Sequence, residues 1–309
     1  MAAYLSFNKI GKKVNNINLL ADLSFGIQKG ELVFILGKSN SGKSTLFKIL
    51  MGFTKKDRGQ IFVDGMDYDI RQKEILPNIG YTPQQNIFDS NLNIYENLFF
   101  HAEMMGVNKL KIKDKIFYWA DRLGFKSSLR KSISSTSDSS LKKISFARSL
   151  IHNPTILLID DITTSLDYFD KSLVFEIIQE IRVDKSILFI TQDFTNTDIF
   201  SDRIILINNG SIGFNGTLNN LEQEINDIYK FRFTFKRIVP NDFIQNLRSN
   251  NDIQKIQSKD NNIQIIVKDK RIFFDVFKIA VNYELIDFEM SDSKITELFE
   301  RIMKSWEIY

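Results

Sequence analysis

An apolar run, Leu32-Val33-Phe34-Ile35-Leu36, leads directly into Gly37-Lys38-Ser39-Asn40-Ser41-Gly42-Lys43-Ser44-Thr45 and then into the helical run Leu46-Phe47-Lys48-Ile49-Leu50. The middle segment fits GxxxxGK[ST], and each fixed position has a physical reason. Glycines let the backbone approach phosphates and turn N–H groups inward, Lys43 reaches the β- and γ-phosphates, and the Ser44 hydroxyl can ligate Mg²⁺. The helix that starts there adds the positive end of its dipole. A chance match in an ordinary strand-turn-helix unit is the alternative, and the strand and helix flanks count against it.

From Tyr4 to about Asn220, apolar runs alternate between strand and helix patterns, which predicts an α/β core with a largely parallel sheet. A nucleotide would then sit at the carboxyl ends of the strands. Between Gln84 and Asn153 strand signals vanish, and helical periodicity runs through Ile94 to Met105, Ile112 to Leu123 and Ser140 to Ile151. This stretch, about 85–153, reads as an inserted helical subdomain. Beyond a boundary near residue 225 the order becomes β-α-β-β-α-β over Tyr229 to Glu289, a small ferredoxin-like α+β domain spanning 226–309. A last helix is expected over Lys294 to Lys304. No chemical constellation stands out in this tail, which leaves packing, dimer contact or regulation as its roles.

The 309 residues are enough for two domains. No apolar stretch approaches the ~20 residues of a membrane span, and the start, Met1-Ala2-Ala3-Tyr4-Leu5-Ser6, is unlike a signal peptide. A cytoplasmic location is therefore expected. The absence of cysteine excludes a disulfide framework, thiol catalysis and Cys-ligated metal. Net charge is only +3, and the densest basic cluster, Lys109 to Lys115, reads as a solvated helix face, so no nucleic-acid partner is expected. The two histidines, His101 in a helical run and His152 in a helix-end turn, read as surface or capping residues.

A second candidate element is Ile156-Leu157-Leu158-Ile159 followed by Asp160-Asp161. Four apolar residues bury the strand and deliver two carboxylates at its tip. Alone, such a pair can be a helix cap or a turn. Beside a phosphate loop, the first carboxylate suits Mg²⁺ and the second can polarise a water.

In their order along the chain, these motifs resemble those of the ATP-binding subunits of ABC transporters. The resemblance covers roughly residues 4 to 225, and the tail is similar to the small C-terminal domain on subunits of type-2 exporters. It implies a P-loop ABC ATPase core in which Gly37 to Thr45 is Walker A and Ile156 to Asp160 is Walker B. Ile79-Gly80-Tyr81-Thr82-Pro83-Gln84 resembles the Q-loop, which makes Gln84 a contact for Mg²⁺ and water. Ser165-Leu166-Asp167 resembles the D-loop.

Three positions depart from the family pattern. Where the family has its LSGGQ signature, this chain has Thr136-Ser137-Asp138-Ser139-Ser140, which puts a carboxylate and side chains where a glycine backbone would approach a phosphate. The same serines could simply cap the following helix. Asp161 stands at the catalytic-glutamate position, one methylene shorter, and Gln192 replaces the switch histidine. Glutamine can donate a hydrogen bond but cannot become a cation. The aromatic residue that stacks on adenine in the family aligns with Ile10, with Phe7 or Tyr4 as substitutes that double as strand core.

The resemblance implies ATP and Mg²⁺ as ligands, held by Walker A, Asp160 and Gln84, with Asp161, Gln192 and Gln84 acting on the γ-phosphate and its water. It implies an integral-membrane permease and a second ATP-binding subunit as partners, in a homodimer or a heterodimer on the inner face of the cell membrane. The altered positions leave two readings: a slowly hydrolysing subunit, possible as the degenerate half of a heterodimer, or a nucleotide-binding subunit that is nearly silent. A soluble ABC ATPase of translation or chromosome upkeep is a third, disfavoured by the lack of a tandem domain or coiled coil.

Overall fold

The computed structural model describes residues 3–191, 201–224, 229–248, 250, 252–267 and 271–291. The chain divides into two compact units, Met1–Thr217 and Leu218–Tyr309. The division falls a few residues ahead of position 225 because a short helix, Leu218–Glu224, groups with the second unit.

In the first unit the strands are β1 (Leu5–Val14), β2 (Ile17–Ile27), β3 (Leu32–Leu36), β4 (Arg58–Val63), β5 (Met66–Asp67), β6 (Ile79–Thr82), β7 (Ile156–Asp160), β8 (Ser186–Ile190), β9 (Arg203–Asn208) and β10 (Ser211–Gly216). Every residue of β3, β7 and β8 is buried. Unbroken Val, Ile, Leu and Phe runs belong to strands covered on both faces, as parallel sheets require. These three strands form the middle of a six-stranded sheet of order β10-β9-β3-β8-β7-β6. All its pairings are parallel except the β9–β10 hairpin. The carboxyl ends of β3 and β7 therefore lie on the same edge, separated by β8.

The first strands do not join this sheet. They make a separate antiparallel sheet of order β2-β1-β4-β5. The local reason is the turn between β1 and β2, where Asn15 and Asn16 have φ of 49° and 62°. Positive φ at both central residues matches the right-handed twist of a hairpin, and asparagine tolerates it. Strand-helix alternation alone does not distinguish this sheet from the parallel one.

Helices α1 (Lys43–Leu50) and α2 (Tyr68–Ile75) follow β3 and β5. The helical stretch contains α3 (Ile94–Met104), α4 (Lys109–Arg122) and α5 (Asp138–Leu150), and between β6 and β7 only an isolated bridge joins Asn93 to Ser132. A capping box starts α3: Asn93 Oδ1 accepts from the Glu96 N–H at 2.9 Å and Glu96 Oε2 accepts from the Asn93 N–H at 2.8 Å. In α4, Ile112 and Ile116 turn inward while Lys109, Lys111 and Lys113 are exposed, which is the solvated face expected of that cluster. Helix α6 (Tyr168–Ile181) begins just after β7, with Asp167 as its cap.

The second unit pairs β11 (Tyr229–Phe235), β12 (Ile253–Lys259), β13 (Asn262–Val267) and β14 (Leu285–Ser291) as an antiparallel sheet of order β12-β13-β11-β14. Helices Asn241–Arg248 and Ile272–Ala280 complete the β-α-β-β-α-β order. Phe231, Phe233, Phe235 and Phe243 are buried in its own core. The helix expected over Lys294 to Lys304 lies outside the described residues.

The histidines are neither surface nor capping groups. His101 of α3 and His152, just past α5, are half-buried and pack ring against ring with centroids 5.8 Å apart. His152 Nε2–H donates to the Ile79 carbonyl at 3.2 Å, while His101 Nε2 and His152 Nδ1 have no partner. Burial, reinforced by Arg148 and His152, pushes His101 down from 6.5 to about 3. Burial also lowers His152, with Lys115 and Lys185 adding to the effect against the Ile79 hydrogen bond. A helical pattern gives no sign of this, since both rings lie where α3 meets the end of α5. The unfolded chain binds protons at these rings first, so the stability they contribute is complete above about pH 6.5 and is lost as pH falls towards 3. For His101 alone the loss at pH 5 is about 2 kcal/mol. Urea titrations at pH 7.5 and pH 5 should show a loss that His101→Phe reduces by about 2 kcal/mol; an unchanged pH dependence in the variant would contradict it.

Candidate functional site

The loop after β3 needs glycine at two places for steric reasons. Gly37 has φ of 152° and Gly42 of 98°, and a Cβ would collide with the Ile207 carbonyl oxygen at the first and with the Leu19 carbonyl oxygen at the second. Gly42 opens directly into α1, whose Leu46, Phe47 and Leu50 are buried and fix the helix against the sheet. The loop curls around the Lys43 side chain, which is only 5% exposed. Its Nζ donates to the Gly37 carbonyl at 2.7 Å, the Lys38 carbonyl at 2.6 Å and Ser41 Oγ at 3.1 Å. Burial lowers the Lys43 pKa to about 8, although Asp160 and Asp161 pull it upward. All three donors of the ammonium thus meet neutral oxygens, which phosphate oxygens can replace with stronger, charge-assisted bonds.

At the tip of β7, Asp160 is 2% exposed, and its Oδ1 accepts from Ser44 Oγ at 3.2 Å. Burial raises its pKa against the Ser44 hydrogen bond, with Asp161 adding to the rise and Lys43 opposing it. Asp161 is also buried and holds φ of 48°, with its N–H donating to the Ile190 carbonyl of β8 at 2.9 Å. One of its carboxylate oxygens accepts from Thr164 Oγ1 at 2.6 Å and the other from Gln84 Nε2 at 3.4 Å. Ser44, Gln84 and the Asp160-Asp161 pair come from three stretches of sequence and meet at one sheet edge. They line a cavity of about 590 Å³ together with Ser39, Asn40, Ser41, Gly42, Lys43 and Thr45. Gly37 and Lys38 sit behind it, where their carbonyls hold Lys43.

These residues suit Mg²⁺ and a triphosphate. A serine hydroxyl, a carboxylate and a glutamine amide are the hard oxygen donors that Mg²⁺ prefers, with phosphate oxygens completing its shell. Gln192 lies outside the described residues; Thr191, before it, is buried beyond the end of β8.

One expectation for the cavity's surroundings changes, the adenine-side residue, and one holds, the capping role of the serine-rich segment. Ile10 and Phe7 are fully buried, Phe7 stacking on Phe25 with centroids 4.6 Å apart, and the Tyr4 hydroxyl bonds Thr155 Oγ1 at 2.9 Å. None of the three lines the cavity. Its apolar lining near the β1–β2 turn is Ile17 and Leu19 instead. The signature segment caps α5, with Ser137 Oγ accepting from the Ser140 N–H at 3.4 Å. Asp138 accepts from Asn86 Nδ2 at 3.2 Å. Asp170 in the first turn of α6 receives Ser139 Oγ and Lys143 Nζ, each at 2.8 Å.

A family profile described as ABC transporter matches residues 20–164. Over 231 residues the chain is 30% identical to the ABC transporter ATP-binding protein NatA of Bacillus subtilis, which covers 74% of this chain and 93% of NatA. The chain belongs to the ABC transporter ATP-binding family. It is also 30% identical over 241 residues to ABC transporter A family member 11 of Dictyostelium discoideum, spanning 77% of this chain and 28% of that protein. The fold matches a solved ATP-binding subunit of an ABC transporter with a TM-score of 0.68 at 20% identity, over 72% of this chain and 93% of that one.

Sequence reasoning missed Thr164 and Lys142 of this ABC subunit. Thr164 lies three residues after Asp161, a spacing that could have suggested the contact. Lys142, 4% exposed, donates from Nζ to the backbone carbonyl of Gln84. Only its spacing of four from Asp138 hints at a shared helix face. Asp161→Asn is the cleanest probe of the site, since asparagine also adopts positive φ without added strain. It should lower ATP turnover by about 100-fold while leaving Mg-ATP affinity within about threefold, as read by steady-state hydrolysis and calorimetric titration. Unchanged turnover would remove Asp161 from the chemistry.

Proposed function

We propose that this chain is the cytoplasmic ATP-binding subunit of an ABC exporter, peripheral to the inner face of the membrane and docked on an integral-membrane permease. The observation that carries this reading is the convergence of Lys43, Ser44, Asp160, Asp161 and Gln84 on one cavity. Ser39 to Thr45 would cradle the phosphates with backbone N–H groups, and Lys43 would leave the Gly37 and Lys38 carbonyls for the β- and γ-phosphates. Ser44, Asp160 and Gln84 would hold Mg²⁺, which when bound neutralises phosphate charge. Asp161 would accept hydrogen bonding from the attacking water, its other contacts to Thr164 and Gln84 fixing its orientation.

Hydrolysis is expected to be slow. A carboxylate one methylene short displaces the base by about 1 Å, which can cost on the order of 100-fold. Gln192 would add only a neutral hydrogen bond. The serine-rich cap offers side chains and Asp138 where a partner's phosphate would meet glycine backbone, so a partner with a different signature segment is favoured. In such a heterodimer the partner completes this chain's phosphate site, while its own site faces the degenerate segment. The domain over 226–309 would serve as the exporter-type accessory domain. Among the described residues no helix is long and apolar enough to cross a membrane, which suits a subunit that relies on a separate permease.

Purification of the tagged chain from detergent-solubilised membranes, followed by mass spectrometry of stoichiometric partners, tests this. A polytopic permease with a second, different ATPase is expected. A permease alone would replace the heterodimer by a homodimer, and absence of any membrane partner would overturn the transporter reading.

A further inference from the structure

One face of α5 is fastened to the segment that carries Gln84. Ser149 Oγ accepts from Thr82 Oγ1 at 2.9 Å, Lys142 Nζ donates to the Gln84 carbonyl, and Asp138 Oδ1 accepts from Asn86 Nδ2 at 3.2 Å. Arg148 donates to the Ile87 carbonyl and lies over the Phe88 ring, 4.9 Å from its centroid. Between these fastenings the Gln84 side chain turns the other way, to Asp161. Lys142 is the unusual member. It is a cation held at 4% exposure, with its ammonium on a neutral carbonyl. Burying a charge this way is unfavourable compared with an apolar side chain of the same volume. Thr82, Asn86 and Arg148 already anchor the segment, so attachment alone does not account for it. Its specific effect is to fix the backbone of the one residue in the 82–88 segment whose side chain reaches Asp161.

We infer that Lys142 is a positioning residue that sets Gln84 beside Asp161, so that the start of the signature helix governs the geometry at the metal and water side of the phosphate site. This rests on the ATP-binding reading above. A shift of α5 along its axis moves the Gln84 carbonyl with it, and the contact to Asp161, at 3.4 Å, has little slack before it is lost.

The test uses the full chain with Lys142→Met, Gln84→Ala and both together. Lys142→Met should lower kcat about tenfold with ATP affinity in the absence of Mg²⁺ within threefold, and the double variant should match Gln84→Ala alone. Both single variants should reduce equally the gain in ATP affinity that Mg²⁺ confers, a readout that survives if turnover is too slow to follow. Hydrogen exchange of the nucleotide-free chain should rise over residues 82–88 in Lys142→Met and nowhere else. Effects of the two substitutions that multiply to about 100-fold, or wild-type kcat and wild-type Mg²⁺ gain in Lys142→Met, would overturn the inference. Should Lys142→Met melt below the assay temperature, Lys142→Arg, which keeps a donor, must recover kcat along with the fold; recovery of the fold alone would also overturn it. A wild-type chain that binds no ATP would instead defeat the ATP-binding reading, leaving local exchange over 82–88 as the measure of whether Lys142 holds the Gln84 backbone.

Discussion

Three charges are buried together at the edge of a sheet that is otherwise aliphatic, and the rest of the first unit is arranged around that constraint. Lys43, Asp160 and Asp161 are each at most 5% exposed. Each would be costly alone. The ammonium lowers the cost for the carboxylates, and the loop carbonyls of Gly37 and Lys38 lower it for the ammonium. The fully buried strands β3, β7 and β8 supply the rigidity that keeps these groups in register, because a parallel strand covered on both faces has no freedom to slip without exposing its apolar side chains. Gly37 and Gly42 are then required by backbone crowding at Ile207 and Leu19 as much as by any ligand.

The same edge shows how far the sequence could be read. The phosphate loop and the Asp160-Asp161 tip were legible because each follows an apolar strand, and strands of one parallel sheet present their ends together, whereas Gln84 was reached only through the family resemblance. The antiparallel sheet was not legible, since the pattern of β1 and β2 carries no mark of the sheet they join beyond the asparagine pair at their turn. Ile17 and Leu19 escaped notice because they follow that turn, and cavity lining there depends on how the hairpin folds back. His101 and His152 looked like surface residues because a lone histidine in a helical run does not declare which side meets another helix. Lys142 was invisible for a simpler reason: a lysine near a serine-rich cap reads as solvated, and only tertiary packing of α5 against residues 82–88 buries it.

The departure at Thr136 to Ser140 takes on a different character in three dimensions. Asp138 is committed to Asn86, Ser139 to Asp170, and Ser137 to the cap of its own helix. The Asp138 carboxylate is occupied within the chain, tying the helix start to the Gln84 segment on one side, while Ser139 and Lys143 tie it to α6 on the other. The segment is held by side-chain contacts to both neighbouring elements rather than presenting a bare glycine backbone.

The most direct test of this account is a structure of the chain with Mg²⁺ and a non-hydrolysable ATP analogue. The account predicts that Lys43 Nζ leaves the Gly37 and Lys38 carbonyls for phosphate oxygens, that Ser44 and Asp160 face the metal, and that the Gln84 side chain stays beside Asp161. Phosphates seated elsewhere, or Lys43 still bound to the loop carbonyls with nucleotide present, would contradict it.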